Sequence, residues 1–150
     1  DDRNKAAPGS DGIFFHRVKK TKPDNHDLMI TIESKMKAVY SDSNRLQDAI
    51  DGANKDKNSR MAKTLSWLEE KYARLGDESS RSYVERFKDP ASYGDFKKQY
   101  KAIAIIDSNF LTHQESCEVN NSEDIVTIIF SISELQRMYE NSRLNIIGSI

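Results

Sequence analysis

The chain has one cysteine, Cys117, among 150 residues. It cannot close an internal disulfide, and it has no cysteine pair at metal-binding spacing. His16, His26 and His113 share no ligand spacing either, which argues against a zinc site. No apolar run approaches the ~20 residues of a membrane-crossing helix, and no charged, apolar-centred leader opens the chain. No membrane partner is therefore expected. Neither sign of charge is in excess: 23 Lys and Arg face 24 Asp and Glu, a net charge of −1. That excludes a tail binding nucleic acid by bulk charge, but leaves room for a local basic patch. These absences describe a soluble domain working in a reducing compartment, a description that a toxin delivered from another cell also meets.

What is present is enough for one domain with a core of its own. Residues 1–11 read as a loop punctuated by Pro8, Gly9 and Ser10. GIFFHRV (Gly12 to Val18) is aromatic and β-branched enough for a strand. A lysine-rich loop around Pro23 leads to a second strand, DLMITIESKMK (Asp27 to Lys37). After SDSN, residues Leu46, Ala49, Ile50 and Ala53 recur at helical spacing. Met61, Leu65, Leu68, Tyr72 and Leu75 form a clearer helical stripe, which Gly76 stops. A third, short helix covers SSRSYVERF, and DPASYG breaks the chain. Tyr100 to Asp107 and Asp124 to Ile132 read as strands, the first apolar enough to lie centrally in a sheet. Ser133 and Gln136 form a capping box for a last helix. The order β-β-α-α-α-β-β-α predicts an α/β fold over residues 1–150, with a central mixed sheet flanked by helices.

The second strand raises a chemical question. Residues two apart on a strand share a side, so Glu33 and Lys35 point together, while Leu28, Ile30 and Ile32 point the other way. Acid-x-Lys occurs three times, as Glu33/Lys35, Glu69/Lys71 and Asp95/Lys97. The second lies on a helix, where such residues do not face each other, and the third sits beside a chain break. Only the first follows an apolar strand with an aspartate, Asp11, at the mouth of the strand before it. As a solvated strand pair, Glu33 and Lys35 would contribute only ~0.2–1 kcal/mol. With Asp11 beside them, two carboxylates repel, and a hard divalent cation resolves the conflict. Mg²⁺ typically binds one or two carboxylates, several waters and a substrate phosphate. It then polarises a phosphoryl oxygen and acidifies its own water, while a lysine alongside stabilises developing negative charge. Asp11, Glu33 and Lys35 are a minimal kit for phosphodiester hydrolysis. Arg17, Lys19, Lys20 and Lys22, with Lys37, are the candidate phosphate contacts. Asp107, closing an apolar strand, reads either as a border of this site or as a turn cap.

GSDGIFF…LMITIESK resembles the core motif of the PD-(D/E)xK nuclease superfamily: an acid opening one strand, then acid, any residue and lysine on the next. The resemblance implies a restriction-endonuclease-like core. It also implies Asp11 and Glu33 as Mg²⁺ (or Mn²⁺) ligands, the Ser34 main-chain carbonyl as a third, and Lys35 as the catalytic lysine. Gln47 falls where some branches carry an accessory glutamine. The superfamily core opens with a helix and a strand ahead of the motif aspartate, and only ten residues precede Asp11. The expectation is that these two elements are missing or that the sheet is rebuilt. Domains of this superfamily serve as contact-dependent inhibition toxins, restriction enzymes and antiphage nucleases, and the motif followed by a long helical stretch is also similar to Hachiman-type defence nucleases. The implied function is a DNA endonuclease acting in the bacterial cytoplasm. Its implied partner is an immunity protein for a toxin, or a helicase or sensor for a defence nuclease. An RNase acting on tRNA and a non-catalytic interaction module are the alternatives.

Overall fold

The computed structural model describes residues 9–122 and 124–147, and side chains up to residue 142. Most of residues 1–11, read above as a loop, and the Ile146 side chain lie outside that range. The elements in order are β1 (Gly12–His16), β2 (Leu28–Lys37), α1 (Arg45–Lys55), a π-helical turn (Asp56–Arg60) and α2 (Met61–Leu75). They continue with α3 (Glu78–Lys88), the short α4 (Pro90–Tyr93), β3 (Lys97–Asp107), α5 (Leu111–Glu115), β4 (Ile125–Ile132) and α6 (Leu135–Ile147). The strands form one sheet in the order β1-β2-β3-β4. β1 runs antiparallel to β2, whereas β2, β3 and β4 are mutually parallel. This is the mixed sheet flanked by helices that the element order predicts.

Helices α1, α3, α4 and α6 begin where a side chain satisfies a free N–H group. The Asn44 side chain accepts from Gln47 N at α1, and Asp77 accepts from Ser80 N at α3. α6 departs from the expected Ser133 capping box. Its first N–H, on Leu135, is held instead by Asp107 Oδ2 at 2.8 Å. The same aspartate accepts from the Asn109 backbone and side chain, so Asp107 is a cap.

Helices α1, α2 and α3 pack on one sheet face in two clusters. Leu46, Ala49, Ile50 and Ala53 of α1 bury against Tyr100, Ala102, Ala104, Ile106 and Ile125. Leu65 and Leu68 of α2 join Val84 and Phe87 of α3 over Met29, with Ile13 and Phe15 at the margin. The pleat and strand register place these sheet residues on the face that also carries Thr31, Glu33, Lys35 and Lys37. A solvated strand pair is the bland alternative for Glu33 and Lys35. The helices instead cover the polar face, burying Thr31, Glu33 and Lys37, and Ile30 and Ile32 on the reverse face are half-buried. That reverse face also carries Phe14, 58% exposed, and Phe130, 51% exposed.

A buried ion pair ties the β1–β2 loop to α3. Arg86 Nε donates to Asp27 Oδ2 at 2.9 Å, and the rest of its guanidinium donates to the carbonyls of Asp24, Gly94 and Asp95. Asp27 also accepts from Val18 N and Asp24 N. Burial alone would raise the Asp27 pKa, but these N–H donors and the guanidinium outweigh it and hold the carboxyl below the usual range.

Candidate active site

β2 supplies the centre of the site. The Glu33 side chain is buried, and Lys35 Nζ donates to its Oε1 at 2.6 Å. The spacing of two along an extended strand therefore does bring acid and lysine together. Their parallel-register neighbours on β3 are Ala102 and Ala104, whose small side chains leave the space above the sheet to the longer pair.

β1 supplies the second acid. The pairing of Gly12 with Ile32 aligns Asp11, one residue earlier, with Glu33. Asp11 Oδ2 accepts from Ser34 N at 2.8 Å and from Ser34 Oγ at 3.1 Å. In an extended strand a residue's N–H and C=O point to the same edge. The Ser34 carbonyl therefore opens on the side where Asp11 sits. Asp11, Glu33, Ser34 and Lys35 thus gather around one end of the β1–β2 pair.

Room for Glu33 comes from α1. A β-carbon on Gly52 would lie 2.4 Å from Glu33 Cγ and 2.6 Å from its Oε1. At the chain's lead-in, Gly9 has φ +120°, and a β-carbon there would lie 1.9 Å from Thr64 Oγ1. The segment that delivers Asp11 is therefore seated directly on α2.

Two residues that the motif reading missed complete the surroundings. Asp56, first residue of the π-helical turn, is fully buried. Arg60, at the end of the same turn, places Nη1 3.6 Å from Asp56 Oδ1 and 3.8 Å from Glu33 Oε2. Glu33 Oε2 and both Asp56 oxygens are buried without a hydrogen-bond donor. Burial raises the Asp56 carboxyl above its usual range; the charges of Glu33 and Asp11 push the same way, while the Ser10 hydroxyl and Arg60 oppose them. The only sequence signal for Asp56 is its place one turn beyond the apolar stripe of α1, which marks it as helical but not as inward-facing.

The remaining sequence candidates do not join this site. The loop carrying Arg17, Lys19, Lys20 and Lys22 leaves β1 at the opposite end from Asp11. Glu33 lies five residue steps along the strand from Leu28, roughly 17 Å at ~3.3 Å each. Lys19 pairs with Asp24, and the Arg17 guanidinium lies over the Tyr83 ring. Lys37 shares the face of Glu33 but is 2% exposed, and its ammonium donates to Ser43 O and His113 Nδ1. It is not a surface phosphate contact. Gln47 is taken up in bonds to Asp51 and to both backbone groups of Asn120, so it pins the 118–121 loop and has no bond to the acids.

Among the described residues, no three His, Cys, Asp or Glu side chains converge tightly enough to cage a metal. A hard divalent cation does not need such a cage, since one or two carboxylates with waters and phosphate suffice for Mg²⁺. Glu33 Oε2 and the two Asp56 oxygens, buried and outside any direct hydrogen bond, fit that donor chemistry.

The fold and its acid–lysine strand pair define an α/β domain with a buried polar site on a mixed sheet, beside the end of the β1–β2 pairing. The HamA family model matches residues 1–146. The chain belongs to the HamA family, a domain associated with Hachiman antiphage defence. Comparison with curated proteins and with solved structures gives no match. Among the described residues no helix is long and apolar enough to cross a membrane.

Proposed function

We propose that this chain is the metal-dependent endonuclease of a Hachiman defence system, hydrolysing DNA phosphodiester bonds at Asp11, Glu33 and Lys35. The observation that carries the reading is the 2.6 Å contact between Lys35 and buried Glu33, next to an aspartate anchored on the intervening Ser34. Family membership favours the defence setting over a toxin, and with it a helicase or sensor partner rather than an immunity protein.

In this reading Asp11, Glu33 and the Ser34 carbonyl hold Mg²⁺ or Mn²⁺. The cation, when bound, polarises a phosphoryl oxygen and lowers the pKa of its water. Lys35 releases its hold on Glu33 Oε1 and turns its ammonium to the scissile phosphate, where it offsets the negative charge that grows as water oxygen bonds phosphorus. The bond from phosphorus to the leaving sugar oxygen then breaks; the attacking water gives its proton to solvent, and a solvent water protonates the leaving oxygen. Gly52 keeps the Glu33 carboxylate from being displaced, and the bond from Ser34 N keeps Asp11 facing the same edge.

The test is nicking of supercoiled plasmid with Mg²⁺ or Mn²⁺, run in parallel on a structured RNA. Wild-type chain is expected to nick DNA, and Glu33→Gln and Lys35→Ala to lose at least ~10²-fold in rate while melting as cooperatively as wild type. Cleavage of RNA with DNA intact would transfer the site to an RNase. If neither is cut with any divalent metal or with its defence partner present, the chain is an interaction module.

A further inference from the structure

Asp56 is the least explained group in the molecule. A buried carboxylate ordinarily accepts several hydrogen bonds, and one without donors bears an uncompensated desolvation penalty. Here both Asp56 oxygens and one oxygen of Glu33 stand in that condition. Arg60 is within 4 Å of both carboxylates, yet at 3.6 and 3.8 Å it is too far to hydrogen-bond either. The turn that carries both residues is π-helical, with Met61 N–H reaching back to Asp56 O. Such wide turns insert an extra residue into a helix and often occur at functional sites. Here the turn directs Asp56 inward and brings Arg60 back over the same spot.

We infer that Asp56 and Glu33 Oε2 form a divalent-cation subsite, with Arg60 as the internal stand-in for the ion between the two carboxylates. The inference rests on the reading of Glu33 as a metal carboxylate and extends it to the helical side of the site. Carboxylate oxygens from two separate elements, with the Ser10 hydroxyl and Arg60 as the groups acting against their charge, match the small carboxylate set that Mg²⁺ or Mn²⁺ uses alongside water. Lys35 neutralises Glu33 at Oε1, and the cation facing both Asp56 and Glu33 Oε2 is the Arg60 guanidinium, at long range. A bound cation frees Arg60, whose planar fork suits an incoming phosphate.

The experiment uses the full chain and Mn²⁺ as probe, without nucleic acid, reading calorimetric affinity and Tm with and without the ion. Wild type is expected to bind and to melt higher with Mn²⁺. Asp56→Asn should keep or raise the metal-free Tm, since a neutral amide replaces an unpaired buried charge, and should weaken Mn²⁺ binding at least about tenfold. Arg60→Gln should melt lower without metal but gain more from Mn²⁺ than wild type, because the stand-in is gone. Unchanged Mn²⁺ affinity in Asp56→Asn would overturn the subsite while leaving the nuclease reading intact. An Arg60→Gln deficit that Mn²⁺ does not relieve would reduce the two residues to a structural pair. A wild-type chain that binds no Mn²⁺ and nicks no plasmid would overturn the nuclease reading and the subsite together.

Discussion

Gly52 and Glu33 are packed so closely that residue 52 has no room for a methyl group: its β-carbon would sit 2.4 Å from Glu33 Cγ. Glycine inside a helix is normally a liability of ~0.5–1 kcal/mol relative to alanine. Gly52→Ala is therefore expected to reverse the usual helix gain, losing ~1–3 kcal/mol through overpacking. Because the clash falls on the carboxylate itself, plasmid nicking should fall further than stability does. Urea melts beside nicking rates check this. A variant more stable than wild type with full activity would contradict the tight seat.

Gly9 makes a second prediction at the other acid. Its positive φ and contact with Thr64 mean that Gly9→Ala must lift the lead-in to β1 off α2. Asp11 is the residue displaced. Nicking should drop while the midpoint of thermal melting moves by only a few degrees, since the main clusters under α1 and α3 are untouched. Melting by circular dichroism separates the two effects.

The Asp27–Arg86 pair governs stability away from the site. Asp27→Asn removes the charge that Arg86 meets at 2.9 Å and is expected to lose ~3–5 kcal/mol by leaving a buried guanidinium unpaired. The pH dependence follows from the lowered folded-state pKa of Asp27. Its stabilisation is present above the ordinary aspartate pKa of 3.8 and disappears as pH falls through the still lower folded value. Wild type should therefore lose stability below about pH 4, and Asp27→Asn should lose less over that interval. Denaturant midpoints measured from pH 6 downward provide the comparison.

Lysine position predicts DNA affinity in an unexpected order. A lysine that contacts phosphate reduces the salt dependence of binding by about one ion when removed. Lys37→Met should leave that slope unchanged, because its ammonium is committed to Ser43 O and His113 Nδ1. Arg60→Gln should lower it. Binding isotherms at several salt concentrations decide.

Much of this could be read from the residues before any coordinates. Helical spacing located α1 and α2, and apolar runs located β3 and β4, because burial on one side imposes the period directly. Acid-x-Lys on a strand located Glu33 and Lys35, because a period of two leaves them no choice but to share a face. What the pattern left open was which face the helices cover. Ile30 and Ile32 look like the core, yet Glu33 and Thr31 lie beneath helices. Alternation reports two faces without naming the one that is covered, and here the covered side carries the polar residues of the site. The position of the basic loop was not legible for a related reason: nearness in sequence to β2 does not reveal which end of the strand it adjoins. Asp56 was missed because a carboxylate just past the apolar stripe of α1 reads as a solvated helix end, and the wide turn that follows it breaks the helical phase.

That broken phase makes chain length near residue 56 unforgiving. Each helical residue advances ~100°, so deleting any one of residues 56–60 would restore a continuous α-helix across the joint. Either the Met61–Leu75 helix would rotate off its seat or Asp56 would swing away to solvent. A one-residue trimming there does more harm than any replacement, since no side chain can restore a lost angle.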